Sequence, residues 1–405
     1  MILADLVTLL MKTQMLYNTE NAFLLKSNGE LKRTLWLFRL INKPALVNFL
    51  TKALQFAMKM KLPVKGALKA TIFKQFCGGE NIKETSEVVN KLYDANVRSI
   101  LDYSVEGEEN NEAFDSALTE LIKIINTASS NPAIPYTCIK LTGFVSSHLL
   151  EKASLKEEFS NEESADWQKF LKRMDTLFDT ATEKNVPVYI DAEESWLQGS
   201  IDQVAEDYML LYNKTHHIVL TTLQMYRHDR LAYLNELILF SKKNSIKLGI
   251  KLVRGAYLER ENTRAAEMNY PTPMQKCKDD TDIAFNKAVV LCLDNIDLIM
   301  LCAGTHNEVS TLFLLDEMKK RNIANDHPHV YFSQLYGMSD HITMNLAAEK
   351  YNVTKYVPYG PVKSVVPYLI RRAQENTGIA GQMSRELQLI TQEKKRRDNL
   401  KLLRQ

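Results

Sequence analysis

The spacing of hydrophobic and polar positions changes about a quarter of the way along the chain. Residues 1–95 repeat apolar positions with a helical period and contain few glycines, which predicts helices interrupted near Pro44, Pro63 and Gly78-Gly79. Beyond residue 95, short β-branched and apolar runs alternate with amphipathic stretches of helical length. The pattern therefore predicts an N-terminal helical region followed by a domain in which strands and helices alternate.

Eight of the later apolar runs are typical of buried parallel strands. Each run is followed by a segment compatible with a helix, and eight such strand–helix pairs predict a (β/α)8 barrel. The predicted strands cover residues 98–107, 136–144, 186–194, 217–226, 248–257, 297–306, 329–337 and 354–360. A doubly wound sheet is the alternative, but the chain contains no Gly-x-Gly and no P-loop, which excludes the usual dinucleotide fingerprint.

Composition narrows the class of protein. The 405 residues are 45% apolar and 25% charged, as in ordinary globular proteins, and no uninterrupted apolar run is long enough for a transmembrane helix. The opening segment lacks a basic region before its apolar stretch, so we do not expect a secretory signal. The five cysteines show no C-x-x-C spacing and the eight histidines form no HExxH motif, which predicts reduced thiols and no metal site.

Charge is distributed unevenly along the chain. The net charge is +2, but residues 31–79 contain ten lysines and arginines and no acidic residue, which leaves 2 − 10 = −8 for the remainder. These basic residues are interleaved with apolar ones such as Phe49, Phe56 and Met60, as in a basic amphipathic helix on an anionic membrane surface. A helix whose apolar side packs on the predicted domain of alternating strands and helices explains the pattern equally well. Nucleic acid binding is not expected, because no stacking platform or recognition motif accompanies the charge.

Polar residues concentrate where the predicted strands end. In a (β/α)8 barrel the carboxyl ends of the strands carry the active site. The polar residues at or near these ends are Lys140, Asp191, Glu193, Gln224, Lys251, Arg254, Tyr257, Thr305, His306, Gln334, Tyr336 and Tyr359. Their convergence on one face of the barrel predicts a functional site there.

Two adjacent arginines follow the last predicted strand, in the stretch YLIRRAQEN (residues 368–376). Glu375 lies four residues after Arg371, which suits an ion pair on the surface of a helix. Arg371 and Arg372 together also suit a guanidinium fork on an anionic ligand, because their fixed donors match the geometry of a carboxylate. The two arginines alone leave both interpretations open.

Seven motifs occur in the order that resembles the proline dehydrogenase family, the flavoenzymes that oxidise proline. They are IDAEE (190–194), LQMYRHD (223–229), KLVRGAYLERE (251–261), THNE (305–308), YFSQLYGM (331–338), YVPYGPV (356–362) and YLIRRAQEN (368–376). The resemblance covers roughly residues 90–390 and implies a (β/α)8 barrel that holds FAD non-covalently at the strand ends. We therefore predict a helical region over residues 1–95, a catalytic barrel over 96–390 and a basic tail over 391–405.

The resemblance implies how the substrate is held. Arg371 and Arg372 are expected to reach the substrate carboxylate, and Lys140 to supply a third positive charge, so the fork interpretation is preferred. Glu375 would orient the arginines or contact the flavin. The pyrrolidine ring is expected to meet three side chains, namely Tyr257, Leu335 and Tyr359.

The resemblance also implies a set of flavin contacts. Lys251 stands where many family members carry an arginine near flavin N5, and lysine keeps that charge without the planar fork. Gln224 stands where a side chain bonds the isoalloxazine edge, and Asp191 is expected near both substrate and flavin. The other expected cofactor contacts are Val253, Arg254, Gly255, Thr305, His306, Gln334 and Glu375.

The implied reaction is oxidation of L-proline to 1-pyrroline-5-carboxylate by hydride transfer to flavin N5, with a quinone as the electron acceptor. A separate 1-pyrroline-5-carboxylate dehydrogenase is expected to act next. Residues 31–79 are expected to offer a docking surface for the membrane that holds the quinone. The expected location is therefore cytoplasmic and peripheral on the inner membrane, or mitochondrial in a eukaryotic host.

Three other functions compete with this one. Hydroxyproline dehydrogenase resembles the same family closely. A barrel aldolase would use Lys140 or Lys251 as a Schiff-base lysine at a strand end. A barrel kept only as a membrane-associated scaffold is the non-enzymatic alternative, which the charged and aromatic strand ends disfavour.

Overall fold

A computed structural model shows eight parallel strands with helices around them. It describes residues 15–60, 62–104, 109–378 and 382–403, without the side chains of residues 374–384. The strands join one sheet in the order β1-β8-β7-β6-β5-β4-β3-β2, which forms a nearly closed barrel. The predicted (β/α)8 barrel is confirmed, and the doubly wound alternative is wrong.

Each predicted apolar run overlaps one strand, and residues 105–107 of the first run lie outside the described residues. The strands are β1 (Val97–Tyr103), β2 (Thr137–Ile139), β3 (Val188–Ile190), β4 (Val219–Gln224), β5 (Leu248–Val253), β6 (Ile299–Gly304), β7 (Val330–Leu335) and β8 (Val353–Tyr359). Consecutive strands from β2 to β7 pair in parallel, and the register sets Lys251 opposite Thr222 of β4 and Cys302 of β6. Strands buried on both faces explain why the runs are almost continuously apolar.

Helices precede the barrel and follow each of its strands. They are α1 (Thr19–Ala22), α2 (Asn28–Ile41), α3 (Pro44–Lys59), α4 (Lys65–Leu68), α5 (Lys74–Phe76), α6 (Ile82–Tyr93), α7 (Asn111–Ser129), α8 (Ser147–Leu155), α9 (Asn161–Lys184), α10 (Ser195–Tyr212), α11 (Arg230–Asn244), α12 (Leu258–Glu267), α13 (Lys278–Asp294), α14 (Glu308–Lys320), α15 (Asp340–Ala348), α16 (Val366–Gly378) and α17 (Gln382–Leu402). A π-helical turn (Lys69–Phe73) joins α4 to α5, and a 3-10 turn (Leu141–Gly143) follows β2.

The chain forms two compact units. The first contains the described residues within 1–99, 104–107 and 334–405, and the second those within 100–103 and 108–333. The first unit thus holds the N-terminal helices with β8, α16 and α17, and the second holds β2 to β6 with their helices. The predicted boundaries at residues 95 and 390 stay a prediction.

Helix α2 buries its apolar side within the first unit. Ser27 caps its N-terminus: the Ser27 hydroxyl accepts the Glu30 N–H at 3.2 Å, and the Glu30 carboxylate accepts the Ser27 N–H at 2.9 Å. This reciprocal cap sets the start of the helix. The apolar cluster that α2 joins includes Phe23, Leu35, Phe38, Phe76, Leu369 and Ile390. For α2, the packing explanation of the amphipathic pattern is therefore correct.

Helix α3 keeps its apolar side at the surface. Pro44 occupies its first turn, where the missing N–H is not needed, and Val47 is its buried residue. Phe49 and Phe56 are 67% and 65% exposed, and Met60 just beyond the helix is 59% exposed. Among the helices that the structure describes, none combines the length and apolar character needed to cross a bilayer.

Aromatic rings fill the barrel in the second unit. Tyr136 makes edge-to-face contacts with Tyr189 of β3 (5.1 Å between centroids) and Tyr331 of β7 (5.3 Å). The Lys251 ammonium lies 5.2 Å from the centroid of the Tyr189 ring. This packed layer supports the charged residues at the strand ends, as inward-facing layers do in such barrels.

We predict that His217 makes the protein less stable in mild acid. Its Nε2 lies 3.2 Å from the Leu298 carbonyl oxygen, and its ring centroid lies 5.0 Å from that of His329. Burial lowers the pKa of His217 from 6.5 to about 4. Between these two values the unfolded chain binds a proton that the folded chain does not, so the free energy of unfolding falls as pH falls, by on the order of 2 kcal/mol.

Urea unfolding at pH 7 and pH 4.5 measures this dependence. His217→Gln should make the free energy of unfolding less dependent on pH, and the matched change His216→Gln at the exposed neighbour is measured in parallel as the control. Equal pH dependence in His217→Gln and the unmodified protein would contradict the prediction.

Candidate active site

Two lysines and one aspartate form the centre of the predicted site in the second unit. Asp191 directly follows β3, Lys140 directly follows β2, and Lys251 lies within β5. The Lys140 Nζ is 3.4 Å from Asp191 Oδ2, and the Lys251 ammonium donates to Asp191 Oδ1. One buried carboxylate therefore bridges two ammonium groups at the strand ends, where the sequence predicted that polar side chains would converge.

Both lysines stay protonated in this environment. Burial opposes the charge of Lys140, but Asp102 and Asp191 outweigh it and hold the pKa of Lys140 well above its usual value. Burial also opposes the charge of Lys251, and Asp191 more than offsets it, so the pKa of Lys251 is raised. A Schiff-base lysine must lose its proton to act as a nucleophile. The raised pKa values therefore argue against the aldolase alternative.

A buried chain of hydrogen bonds holds Gln224 at the end of β4. Its Nε2 donates to the Glu193 carbonyl oxygen at 2.7 Å, and the Glu193 N–H donates to Gln198 Oε1 at 3.0 Å. The Glu193 carboxylate accepts the N–H and hydroxyl of Thr142 at 3.1 and 2.6 Å. Burial raises the pKa of Glu193 to about 7, against the opposing effects of Thr142 and Lys140. The side-chain amide of Gln224 is thus fixed in one orientation.

Arg254 and Thr305 are brought into direct contact. The Arg254 guanidinium donates to Thr305 Oγ1 at 2.6 Å, Asp282 Oδ1 at 2.7 Å and Ser310 Oγ at 2.9 Å. Its Cζ lies 4.6 Å from the centroid of the Phe285 ring. A guanidinium held on all sides in this way connects the end of β5 to the loop after β6.

The other predicted residues of the second unit lie near the same strand ends. Gly255 follows with φ +127°, and a Cβ there would lie 2.5 Å from the Tyr226 ring, so only glycine fits without strain. The Val253 carbonyl oxygen accepts the Met225 N–H at 2.8 Å. Tyr257 begins α12 and contributes to the electrostatic environment of Lys140. His306 is half-buried directly after Thr305.

Six further predicted residues belong to the first unit. Gln334 Oε1 accepts the Thr343 hydroxyl at 2.9 Å, and Leu335 packs against the apolar cluster of the N-terminal helices. Tyr359 is fully buried at the end of β8. On α16, Arg371 is half-buried and Arg372 is buried, with its Cζ 5.0 Å from the centroid of the Tyr368 ring. The side chain of Glu375 lies outside the described residues.

Comparison with known families identifies the chain. A family model described as "Proline dehydrogenase" matches residues 85–385, which is well over half of the chain.

The chain belongs to the proline dehydrogenase family.

Individual members support this family assignment. "Proline dehydrogenase 1, mitochondrial" from Dictyostelium discoideum is 32% identical, over 94% of this chain and 74% of its own length. "Hydroxyproline dehydrogenase" from Xenopus laevis is 27% identical, over 94% of this chain and 90% of its own length. The resemblance drawn from the seven motifs is therefore confirmed.

A solved structure supports the fold of this proline dehydrogenase family member. Proline utilization A (PutA) from Bdellovibrio bacteriovorus, inactivated by N-propargylglycine, matches with a TM-score of 0.68 and 20% identity. The match covers 90% of this chain and 37% of the PutA chain, so this chain spans little more than a third of that protein. At this identity the likeness concerns the fold alone.

Three polar residues that the structure connects to the strand ends of this proline dehydrogenase family member had no role predicted from the sequence. Glu193 was named at the end of a strand without a role, yet it fixes Gln224 and Thr142. Asp102 of β1 is buried and helps to keep Lys140 charged. Lys355 is buried inside β8 and binds the turn after β7. Asp102 and Lys355 could both have been found from the same signal in the sequence, because each is a charged residue inside an otherwise apolar strand.

Among the residues that the structure describes, no group of three or more His, Cys, Asp or Glu side chains is placed to hold a metal ion.

Proposed function

We propose that this chain is an FAD-dependent proline dehydrogenase, which oxidises L-proline to 1-pyrroline-5-carboxylate and passes the electrons to a quinone. The observation that carries the proposal is the buried Lys140–Asp191–Lys251 cluster at the strand ends of a barrel of this family. A separate 1-pyrroline-5-carboxylate dehydrogenase would consume the product.

The residues present fit a flavin. The edge of a flavin ring offers hydrogen-bond acceptors and one N–H donor, and Lys251 and Gln224 supply the complementary groups on the adjacent strands β5 and β4. Asp191 keeps Lys251 charged, so a positive charge is present next to the ring, where charge tunes the redox chemistry of a flavin. When bound, FAD would supply the two-electron acceptor for the reaction.

The remaining cofactor contacts are proposed from the family. Arg254 and Thr305, which bond each other, would hold the phosphate and adenosine portions together with Gly255 and His306. Val253 would contribute a backbone contact. Gln334 and Glu375 complete the proposed cofactor set.

For the substrate, we propose an arrangement with a charged end and an apolar wall. Arg371, Arg372 and Lys140 would bind the carboxylate of proline, since charge-assisted and bidentate bonds suit that group. The ring would be oriented by Tyr257, Leu335 and Tyr359. Such an arrangement holds the carbon that loses hydride in one position relative to the cofactor and excludes water from it.

We expect purified protein that contains FAD to lose its oxidised-flavin absorption when proline is added without oxygen. The proposed clamp and ring wall bring the reacting carbon to the cofactor, so reduction should be complete within seconds to minutes. The measurement is the visible spectrum before and after addition, with buffer alone and 4-hydroxyproline as parallel controls.

The spectra distinguish the proposed function from its alternatives. Bleaching by 4-hydroxyproline but not by proline would favour the hydroxyproline dehydrogenase alternative, which the 27% identical Xenopus laevis relative keeps open. Protein that retains no flavin after reconstitution with FAD would overturn the proposed function.

We further propose that helix α3 docks the protein on an anionic membrane, where a quinone is available. Its exposed face presents Phe49 and Phe56, and Lys52 lies on the same helix within the segment that contains no acidic residue. Apolar burial and attraction to anionic lipids both favour this binding. The proposed location is therefore the surface of the inner membrane, bacterial or mitochondrial.

Vesicle flotation tests the role of α3. We expect the protein to float with vesicles rich in anionic lipid at low salt, and less at high salt because salt screens the charges. Phe49→Glu combined with Phe56→Glu should reduce binding at least about tenfold, because burial of each aromatic side chain contributes about 1.5–3 kcal/mol. Leu211→Glu at an exposed position of α10 is the matched control. Equal flotation of the double variant and this control would refute docking through α3.

A further inference from the structure

The turn between β7 and α15, residues 335–340, is held by a buried lysine. Lys355 of β8 is 1% exposed, and its ammonium donates to the carbonyl oxygens of Leu335 (3.3 Å) and Met338. The same ammonium lies 3.0 Å from Asp340 Oδ1. Burial of an ammonium group is costly unless every donor is satisfied. All three of these acceptors belong to the β7–α15 turn, so the lysine specifies the conformation of that turn.

A glutamine of the N-terminal helices holds the same turn from another direction. Gln75 of α5 is buried and donates from Nε2 to the Gly337 carbonyl oxygen at 2.7 Å, while its Oε1 accepts the Thr34 hydroxyl at 3.1 Å. Gly337 has φ +80°, and a Cβ there would lie 1.9 Å from the Gln75 carbonyl oxygen. The backbone of the turn therefore packs directly on the backbone of α5, which leaves no room for a side chain.

Two further contacts tie the turn to elements outside the barrel strands. The Asp340 carboxylate also pairs with Lys26, which precedes α2, at 3.1 Å. The Ser339 N–H donates to the Glu386 carboxylate of α17, and Ser339 is fully buried with φ 50°. The turn is thus fixed from the N-terminal helices, from β8 and from the C-terminal helix.

We propose that Gln75 and Lys355 are positioning residues that determine ring selectivity, because they hold the β7–α15 turn and thereby place Leu335 against the ring of the substrate. The inference rests on the proposed function, in which Leu335 forms the apolar wall of the proline site. Leu335 is the last residue of β7, where the turn begins, and Lys355 binds its carbonyl oxygen directly. A site that must hold a small ring tolerates shifts of only about half an ångström in its walls. The N-terminal helices consequently contribute to substrate binding and ring selectivity through the conformation of this turn.

The test compares Gln75→Met and Lys355→Met with Thr34→Val. Gln75→Met keeps the size of the side chain and removes the bond to Gly337, whereas Thr34→Val removes the other bond of Gln75 and leaves the turn contact in place. Steady-state kinetics with proline and with its six-membered-ring homologue give KM, kcat and the ratio of kcat/KM values. Flavin content, visible spectrum and thermal unfolding are measured for each variant.

For Gln75→Met we expect an increase of about tenfold in the KM for proline, kcat within about twofold of the unmodified enzyme, and an unchanged flavin spectrum. The preference for proline over the larger ring should fall by a similar factor, and Thr34→Val should behave like the unmodified enzyme. Lys355→Met should show the same shift, and if it does not fold, Gln75→Met alone decides.

Unchanged KM and ring preference in folded Gln75→Met would overturn the inference. So would equal losses in Gln75→Met and Thr34→Val, since these would reflect general packing of the helices. Failure of the proposed function is distinguishable, because the unmodified protein would then show no proline oxidation at all, and the inference would fail with it.

Discussion

Arg372→Met is expected to lower kcat/KM for proline by about 10- to 150-fold, mainly through KM, because a charge-assisted hydrogen bond to a carboxylate contributes about 1.5–3 kcal/mol. Arg372 is buried, and the ring of Tyr368 lies 5.0 Å from its guanidinium carbon. Burial strengthens the electrostatic interaction, and the aromatic face restricts the rotamers of the side chain. Steady-state kinetics over a wide range of proline concentration measure the effect.

Arg372→Lys separates charge from geometry. Lysine keeps the positive charge but lacks the planar fork, so we expect a loss smaller than that of Arg372→Met and still clearly measurable. Arg396→Met on α17, where the arginine pairs with Glu393, is the control for removing a cation outside the proposed site. An unchanged KM in Arg372→Met with normal flavin content would show that Arg372 does not bind the substrate.

The strands of the barrel could be predicted because each one is a nearly continuous apolar run in the sequence. A strand buried on both faces is apolar almost throughout, so all eight could be located without knowing their partners. Their ends were less predictable. The run over residues 136–144 contains only the three-residue strand β2, because the chain leaves the ladder after Ile139 and turns at Leu141–Gly143. The Glu193 carboxylate that holds this turn through Thr142 is distant in sequence.

The two N-terminal helices show where local pattern is insufficient. Both α2 and α3 are amphipathic and basic, yet α2 buries Leu35 and Phe38 while α3 leaves Phe49 and Phe56 exposed. Amphipathicity predicts that a helix has an apolar side and not what covers that side. Packing therefore explains the apolar side of α2, whereas membrane binding through α3 stays a prediction.

For the candidate site, the sequence predicted which residues lie at the strand ends. It did not predict which of their side chains contact one another. Lys140, Asp191 and Lys251 could each be placed at a strand end, but their mutual bonds depend on the register of the strands and on side-chain rotamers. Arg254 illustrates the same limit. The resemblance predicted it as a cofactor contact, whereas its bonds to Asp282 and Ser310 connect residues that are far apart in sequence.

Removing the charge of Asp191, the bridging carboxylate, should have the largest effect that we expect on both stability and flavin binding. Asp191→Asn keeps the shape of the side chain and removes the charge that balances Lys140 and Lys251. Breaking a buried ion pair from one side costs about 3–5 kcal/mol, because the partner charge stays buried without compensation. The pKa of Lys251 should then fall, since burial opposes its charge and Asp191 no longer offsets this.

We therefore expect Asp191→Asn to lower the free energy of unfolding by about 3 kcal/mol or more, to retain less FAD and to oxidise proline at least about a hundredfold more slowly. Urea unfolding of the protein with and without added FAD separates the effect on stability from the effect on binding. Asp166→Asn is the matched control, because Asp166 pairs with Lys169 and their side chains are 47% and 52% exposed, and exposed pairs contribute at most about 1 kcal/mol. If Asp191→Asn were as stable as Asp166→Asn and held FAD normally, the two lysines would not depend on this carboxylate. Asp102, the other carboxylate that raises the pKa of Lys140, would then be the residue that keeps Lys140 charged.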